Sequence, residues 1–380
     1  MSDASKQGGG HRADTLPEFK RGFASDNAAT VHPEVLASLG NVNSGHAFGY
    51  GHDPYTAAVE RRLAAELGDP EASVSFVFNG TGANVLALRA ALRPWQAAIV
   101  AESAHLHTDE VGAPERVAGI KLLTARAPLA KLELEHVEQM IVKENDEHFV
   151  QPGVVSLTQA TEWGTIYSLD EVRALTALAH RHGLLVHMDG ARIANAAAAL
   201  GCSLHEVSVG CGVDLLSFGG TKNGLMGAEA LVIFSAAASG RGQQWLGNEV
   251  LNRGILHLRK QSLQLSSKMR YLAAQFDALL SDQLWLRNAS GANAMAKRLA
   301  AAVREIPGVE LSREPQVNSV FAIIPRAARI ALQQDFDFYE WDELTGEVRW
   351  MCSWDTTEAD IAAFAAALAA ALANAATTQP

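Results

Sequence analysis

Apolar and polar positions alternate along the chain in two textures. Between about residues 20 and 240, short apolar runs alternate with longer stretches of helical period. Ser73 to Phe78, Ala98 to Ala101, Val154 to Leu157, Leu184 to Met188, Asp214 to Phe218 and Ala230 to Phe234 read as strands. The intervening helices carry start and stop signals. Asp53 before Pro54 suits an N-cap and first turn, and Gly68 closes that helix. Ser168 and Glu171 have capping-box spacing, with Val172, Leu175, Leu178 and Ala179 as an apolar stripe and Gly183 as the stop. Strand–helix alternation predicts an α/β fold, a mostly parallel sheet covered by helices on both faces. After about residue 250 the pattern changes. Helical segments over 255–282 and 292–305 lead into strands near Val320 to Ile324 and Val348 to Ser353, then a last helix from near Thr356. This predicts a smaller α+β C-terminal domain. The expected division is a leader over 1–20, a large domain over 21–255, and connecting helices plus the small domain over 256–380.

Composition narrows the function. The chain has 380 residues, 48% of them hydrophobic and 19% charged, enough apolar material for a sizeable core. A net charge of −11 argues against a nucleic-acid partner, since phosphate backbones would be repelled. Cys202, Cys211 and Cys352 show neither zinc-knuckle nor CxxC spacing. With no signal-peptide pattern at the polar N-terminus, they favour the cytoplasm. The Ala-rich stretch from Ile361 to Ala376 reads as a helix packed on a globule, and no membrane partner is expected. No His/Asp/Glu grouping has metal-ligand spacing, so no metal is expected; His180, His182 and His187 read as packing or capping residues.

Three segments carry candidate chemistry. Gly80, Thr81 and Gly82 form a Gly-rich turn between a strand and a helix, where open N–H groups and the helix dipole favour a phosphate. The alternative is a tight turn that needs glycine for its backbone. Asp189 lies at the C-terminal end of an apolar strand, where open α/β sheets bind ligands, and a carboxylate there needs a partner. A protonated heteroaromatic nitrogen would serve; the alternatives are a salt bridge to Arg192 or a cap on the helix that follows. Lys222 sits between glycine-bearing turns just past a strand end. Lysine forms Schiff bases with carbonyl cofactors; the alternative is an exposed loop lysine. In this order, the three segments are the parts pyridoxal 5'-phosphate needs: a phosphate cradle, a carboxylate for the ring nitrogen, and an amine for the aldehyde. A Rossmann nucleotide binder lacks its GxGxxG here and leaves Lys222 without a role.

With Ser25-Asp26-Asn27, Tyr50-Gly51-His52-Asp53-Pro54, Ala104-His105, Asp189-Gly190-Ala191-Arg192 and Lys222, the sequence resembles the low-specificity L-threonine aldolases. These belong to the β-eliminating-lyase group of fold-type-I pyridoxal-phosphate enzymes. The resemblance runs from about Phe23 to Asp355. It implies an aspartate-aminotransferase-like large domain with a seven-stranded, mainly parallel sheet, a small C-terminal domain, and assembly as a homodimer or homotetramer.

The implied activity is retro-aldol cleavage of β-hydroxy-α-amino acids such as L-threonine, L-allo-threonine and phenylserine to glycine and an aldehyde. A β-eliminating lyase and a non-catalytic amino-acid binder are the alternatives. By resemblance, Lys222 forms the Schiff base, Asp189 pairs with the pyridine nitrogen and His105 stacks on the ring. Gly80, Thr81 and Gly82 bind phosphate, with Lys268 near where many members carry a further basic residue. Ser25, Arg192 and Arg349 hold the substrate carboxylate; Arg192 also borders the cofactor, and Tyr50 belongs to the substrate side through the 46–53 loop. Many members place a histidine before an Asn-Gly pair where this chain has Thr161-Glu162-Trp163-Gly164. The candidate bases are therefore His105, directly or through a water, and Glu162, with His105 ranked first because imidazole titrates near neutrality.

Overall fold

The computed structural model describes residues 20–239 and 254–377; the expected leader lies outside these residues except for Lys20. Seven strands form the large sheet: β1 (Ser73–Val77), β2 (Gln96–Ala101), β3 (Lys121–Ala125), β4 (Gln151–Thr158), β5 (Leu185–Gly190), β6 (Leu215–Gly219) and β7 (Glu229–Ile233). Their spatial order is β1-β7-β6-β5-β4-β2-β3, and only β7 runs against its neighbours. β2, β5 and β6 are buried along their whole length, which is why their sequences are near-continuous apolar runs rather than alternating ones. β3 is an edge strand with exposed Lys121 and Thr124, and so short and polar a run carries no clear strand signal.

The helix starts follow their sequence signals. Asp53 Oδ1 accepts from the Thr56 amide at 2.7 Å, with Pro54 in the first turn. Ser168 and Glu171 form a reciprocal capping box. The expected helix over 255–282 is broken into Ile255–Gln261 and Met269–Leu280, because Leu263 adopts a positive φ of 63°. A second break at Asp282 and Gln283, also at positive φ, precedes a single long helix, Leu284–Arg304.

The small sheet is antiparallel, in the order β10 (Tyr339–Asp342), β11 (Glu347–Met351), β9 (Ser319–Ile323), β8 (Glu310–Leu311). Its core is separate from the large one and is built on Phe364, Trp350, Phe338 and Phe23. The helix Leu284–Arg304 spans both cores, burying Leu284, Trp285 and Ala289 in the first and Ala296, Leu299 and Val303 in the second. The Ala-rich C-terminal helix, Glu358–Thr377, is long and apolar enough by length and composition to cross a membrane. It buries Ile361, Phe364, Leu368 and Leu372 in the second core.

Phe364 is fully buried and meets three other aromatic rings within 5.2 Å. Phe364→Ala should cost about 3–5 kcal/mol in urea unfolding. A loss below about 1 kcal/mol would mean the second core does not depend on this cluster.

Candidate active site

All the large-sheet strands except β7 point their C-terminal ends to one edge, and the chemically interesting loops meet there. Asp189 ends β5. Its Oδ1 accepts from the Ala191 amide at 2.9 Å and its Oδ2 from Asn84 Nδ2 at 2.8 Å, so the buried carboxylate is doubly bonded. A Cβ at Gly219, the end of the neighbouring β6, would collide with the Ala191 backbone; glycine lets the two strand ends close up.

Lys222 follows β6 in a short turn whose amides are held by a buried carboxylate. Glu229 Oε2 accepts from Gly220 N at 2.7 Å and Oε1 from Thr221 N at 3.4 Å. The Lys222 amine has no hydrogen-bond or ion-pair partner among the described residues. Burial, with Arg192 nearby, pulls its pKa below the ordinary lysine value. Burial pushes Glu229 up to about 7.

His105 opens a one-turn helix after β2. Its Nδ1 lies 3.0 Å from Glu110 Oε1, and its backbone amide donates to Glu162 Oε1 at 2.8 Å. The Glu110 hydrogen bond raises the His105 pKa above its usual 6.5, against the effect of burial and with help from Asp189. Glu162 Oε1 also accepts from Thr158 Oγ1 at 3.1 Å, while its Oε2 is buried without a partner among the described residues. Burial pushes the Glu162 carboxyl up.

Two arginines face this cluster in different states. Arg192 donates from Nε and Nη2 to Asp26 at 2.7 and 2.8 Å, a bidentate pair. One edge of the guanidinium expected to grip a substrate carboxylate is thus already occupied. Burial would raise the Asp26 pKa, but Arg192 and the Asn318 amide at 3.0 Å hold it below its ordinary 3.8. Arg349, on β11, has no carboxylate partner among the described residues. Its guanidinium lies 4.4 Å from the Trp341 ring and 5.5 Å from that of Tyr339, and its Nε has no acceptor among the described residues. Burial, then the charge of Arg192, draws its pKa down to about 10. Arg349 is the guanidinium with an open edge.

Ser25, His105, Glu162, Arg192, Lys222 and Arg349 line one cavity of about 770 Å³. Asp189 is not in that lining; Asn84 and Glu110 connect it to His105, which is. The remaining candidates stand apart from that lining. Gly80, Thr81 and Gly82 start the helix Gly80–Ala91, which reaches the site through Asn84. Asn79 Oδ1 takes the Gly82 amide at 2.7 Å, leaving the Gly80 and Thr81 amides without acceptors among the described residues. Lys268 is exposed at the start of Met269–Leu280. Tyr50 is also exposed, with Lys260 Nζ 4.9 Å over its ring, because its amide is tied to Ser267 O at 3.0 Å and its φ is 63°. His187 is fully buried between Ser156 and Ser217, and burial lowers its pKa to about 4.

Four participants were not among the candidates drawn from the sequence. Glu110 and Asn84 join the His105 and Asp189 ends of the site, Glu229 holds the Lys222 turn, and Gln264 covers Gly82 and bonds the Phe78 amide at 3.0 Å. The one detectable cue was Asn84, a lone amide entering an otherwise apolar helical run.

A family model described as beta-eliminating lyase matches residues 22–327. Over 352 residues the chain is 41% identical to the low specificity L-threonine aldolase of a Pseudomonas species, spanning 92% of this chain and 97% of that one. It is 42% identical over 343 residues to the protein of the same name from Pseudomonas aeruginosa, spanning 90% and 95%. The structure of Leishmania major threonine aldolase superposes with a TM-score of 0.82 at 32% identity, covering 91% of this chain and 98% of that one.

The Asp26–Arg192 pair makes a pH-dependent contribution to stability. Because the Asp26 pKa is depressed on folding, the pair contributes fully above about pH 4 and loses its effect as pH falls through the depressed value. Asp26→Asn should destabilise the fold by about 3–5 kcal/mol at pH 7, since it leaves Arg192 buried with its partner charge gone. Its unfolding free energy should also fall less steeply in acid than that of the unaltered chain. Equal acid slopes in urea titrations would refute this contribution.

Proposed function

This chain belongs to the beta-eliminating lyase family, and on that premise we propose that the cavity cleaves β-hydroxy-α-amino acids of the threonine type to glycine and an aldehyde. The observation that carries the reading is Lys222: a half-buried amine without a partner among the described residues, lining the same cavity as Arg349, a guanidinium with an open edge.

The residues fit pyridoxal 5'-phosphate. The open amides of Gly80 and Thr81 at a helix N-terminus suit its phosphate. Asp189 holds two donors and keeps lone pairs for a ring N–H. When bound, the cofactor supplies an aldehyde for amines and a ring that takes up the electron pair of the broken bond. Desolvation of Lys222 favours the free amine, the form that attacks a carbonyl.

Arg349 and the Ser25 hydroxyl hold the substrate carboxylate, and the remaining edge of Arg192 faces the same space. This clamp decides which bond at Cα is aligned for cleavage. The proton on the β-hydroxyl goes to His105, whose Nδ1 is engaged by Glu110 and whose Nε2 remains to accept. Glu162 holds the His105 backbone and serves as the positioning residue of that turn.

Exposed Phe48, at 83%, and Leu263, at 84%, support assembly of at least two copies, the 46–53 loop lying at the contact. The free thiols Cys202, Cys211 and Cys352 support a cytoplasmic setting.

The assay is glycine release from threonine and phenylserine. Lys222→Ala should lose it by orders of magnitude and lose borohydride-fixed cofactor; cofactor fixed to another lysine would overturn the assignment. Arg349→Met should raise KM about 10- to 100-fold, the equivalent of one charge-assisted hydrogen-bond pair. An unchanged KM would remove Arg349 from the clamp.

A further inference from the structure

His105 and Asp189 belong to different elements, yet one buried polar chain joins them. Glu110 Oε1 lies 3.0 Å from His105 Nδ1 and accepts from Asn84 Nδ2 at 2.9 Å. The same Asn84 nitrogen donates its second proton to Asp189 Oδ2 at 2.8 Å. Asn84, Glu110 and Asp189 are each at most 4% exposed. A carboxylate accepts and does not donate, so Glu110 requires the proton of neutral His105 to sit on Nδ1, leaving Nε2 as the acceptor. Glu110 is 4% exposed and held by both contacts, and Val111 and Gly112 at positive φ turn the chain directly after it. The other charged groups near the ring are Asp189 in β5, Lys222 after β6 and Glu162, which holds its backbone; Asp109 and Arg192 line the same cavity.

We propose that Glu110 is the positioning residue that makes His105 a base, and that Asn84 couples this pair to Asp189 by sharing one amide between the two carboxylates. The arrangement is that of an orienting carboxylate behind a catalytic imidazole. It adds a second element: Asn84 competes with the imidazole for the same Glu110 oxygen, so the strength of the Glu110–His105 bond depends on the contact Asn84 makes with Asp189. The proposal rests on the aldolase reading for the proton that His105 removes, but not for the pairing itself.

The two ends of the chain predict shifts of opposite sign. Glu110→Gln is isosteric and removes the charged acceptor, so the His105 titration midpoint should fall. Asn84→Ala removes the competing N–H, so the midpoint should rise. Ring-¹⁵N histidine NMR on the holoenzyme reads both, with the His105 signal identified by its loss in His105→Phe. The unaltered enzyme should carry the Nδ1–H tautomer. The acid limb of kcat/KM for glycine release should move in the same directions. In Glu110→Gln, kcat should drop about 10- to 100-fold with KM changed less than about 2-fold, short of the roughly 10²–10⁴-fold expected on losing the base itself.

Loosened packing would not give opposite shifts. An Nε2–H tautomer, or a His105 midpoint unmoved by Glu110→Gln, would overturn the proposal. If Glu110→Gln does not fold, the sign of the Asn84→Ala shift decides it, a fall or no shift being the overturning result. No glycine release from the unaltered enzyme, with the NMR shifts as stated, would remove the aldolase reading alone. Normal release with unmoved shifts would remove the role of Glu110 alone.

Discussion

A charged group taken out of water must be met by partners, and the edge of the large sheet is organised around that requirement. Asp189, Glu110, Asp26 and Glu229 are all buried there, and each is answered by donors from a different element. The answers fix the geometry. Asn84 ties the helix Gly80–Ala91 to β5 and to the turn after His105, and Arg192 ties the end of β5 to the segment carrying Ser25. Glu229 ties the reversed strand β7 to the turn that presents Lys222. With these four carboxylates engaged, half-buried Lys222 and buried Arg349 are left without anionic partners among the described residues. That asymmetry makes the cavity receptive to anions and carbonyls despite the acidity of the chain as a whole.

The same bookkeeping explains what the sequence could reveal. Strands buried on both faces announce themselves as apolar runs, so β1, β2 and β4 to β7 were legible, while β3, with Lys121 and Thr124 exposed at an edge, was not. Capping residues act locally, so Asp53, Ser168 and Glu171 could be recognised from spacing alone. The breaks at Leu263 and Asp282 could not, because residues without glycine's freedom there adopt positive φ under tertiary constraint. Within the site, Asp189 and Lys222 were legible because a polar residue directly after an apolar strand is anomalous. Glu110 was not: it follows His107, Thr108 and Asp109 in a polar stretch and looks like a solvated surface acid until the fold buries it. The occupation of Arg192 by Asp26 links residues 166 apart, a pairing that no local pattern discloses.

Residues from both parts of the chain line the cavity. The reactive groups come from the large sheet, while Arg349 and the rings stacked against it come from the small one. Asp26 touches both, through Arg192 and through Asn318, which also bonds the Cys352 carbonyl at the end of β11. The long helix Leu284–Arg304, rooted in each core, is the second connection. The spacing between the amine and the clamp is thereby set by two independent struts.

The outer wall of the cavity has a different standing. Tyr339, Glu340, Trp341 and Asp342 belong to β10, the outermost strand of the small sheet, paired on one side only and joined to β11 by a short turn. None of the buried carboxylates of the reactive edge lies on it. A lineage can therefore alter the reach and polarity of this wall, residue by residue, while the lysine, the histidine and their supports stay as they are. Within that strand Glu340 and Asp342 have the greater latitude, since Tyr339 and Trp341 carry the rings that pack on Arg349.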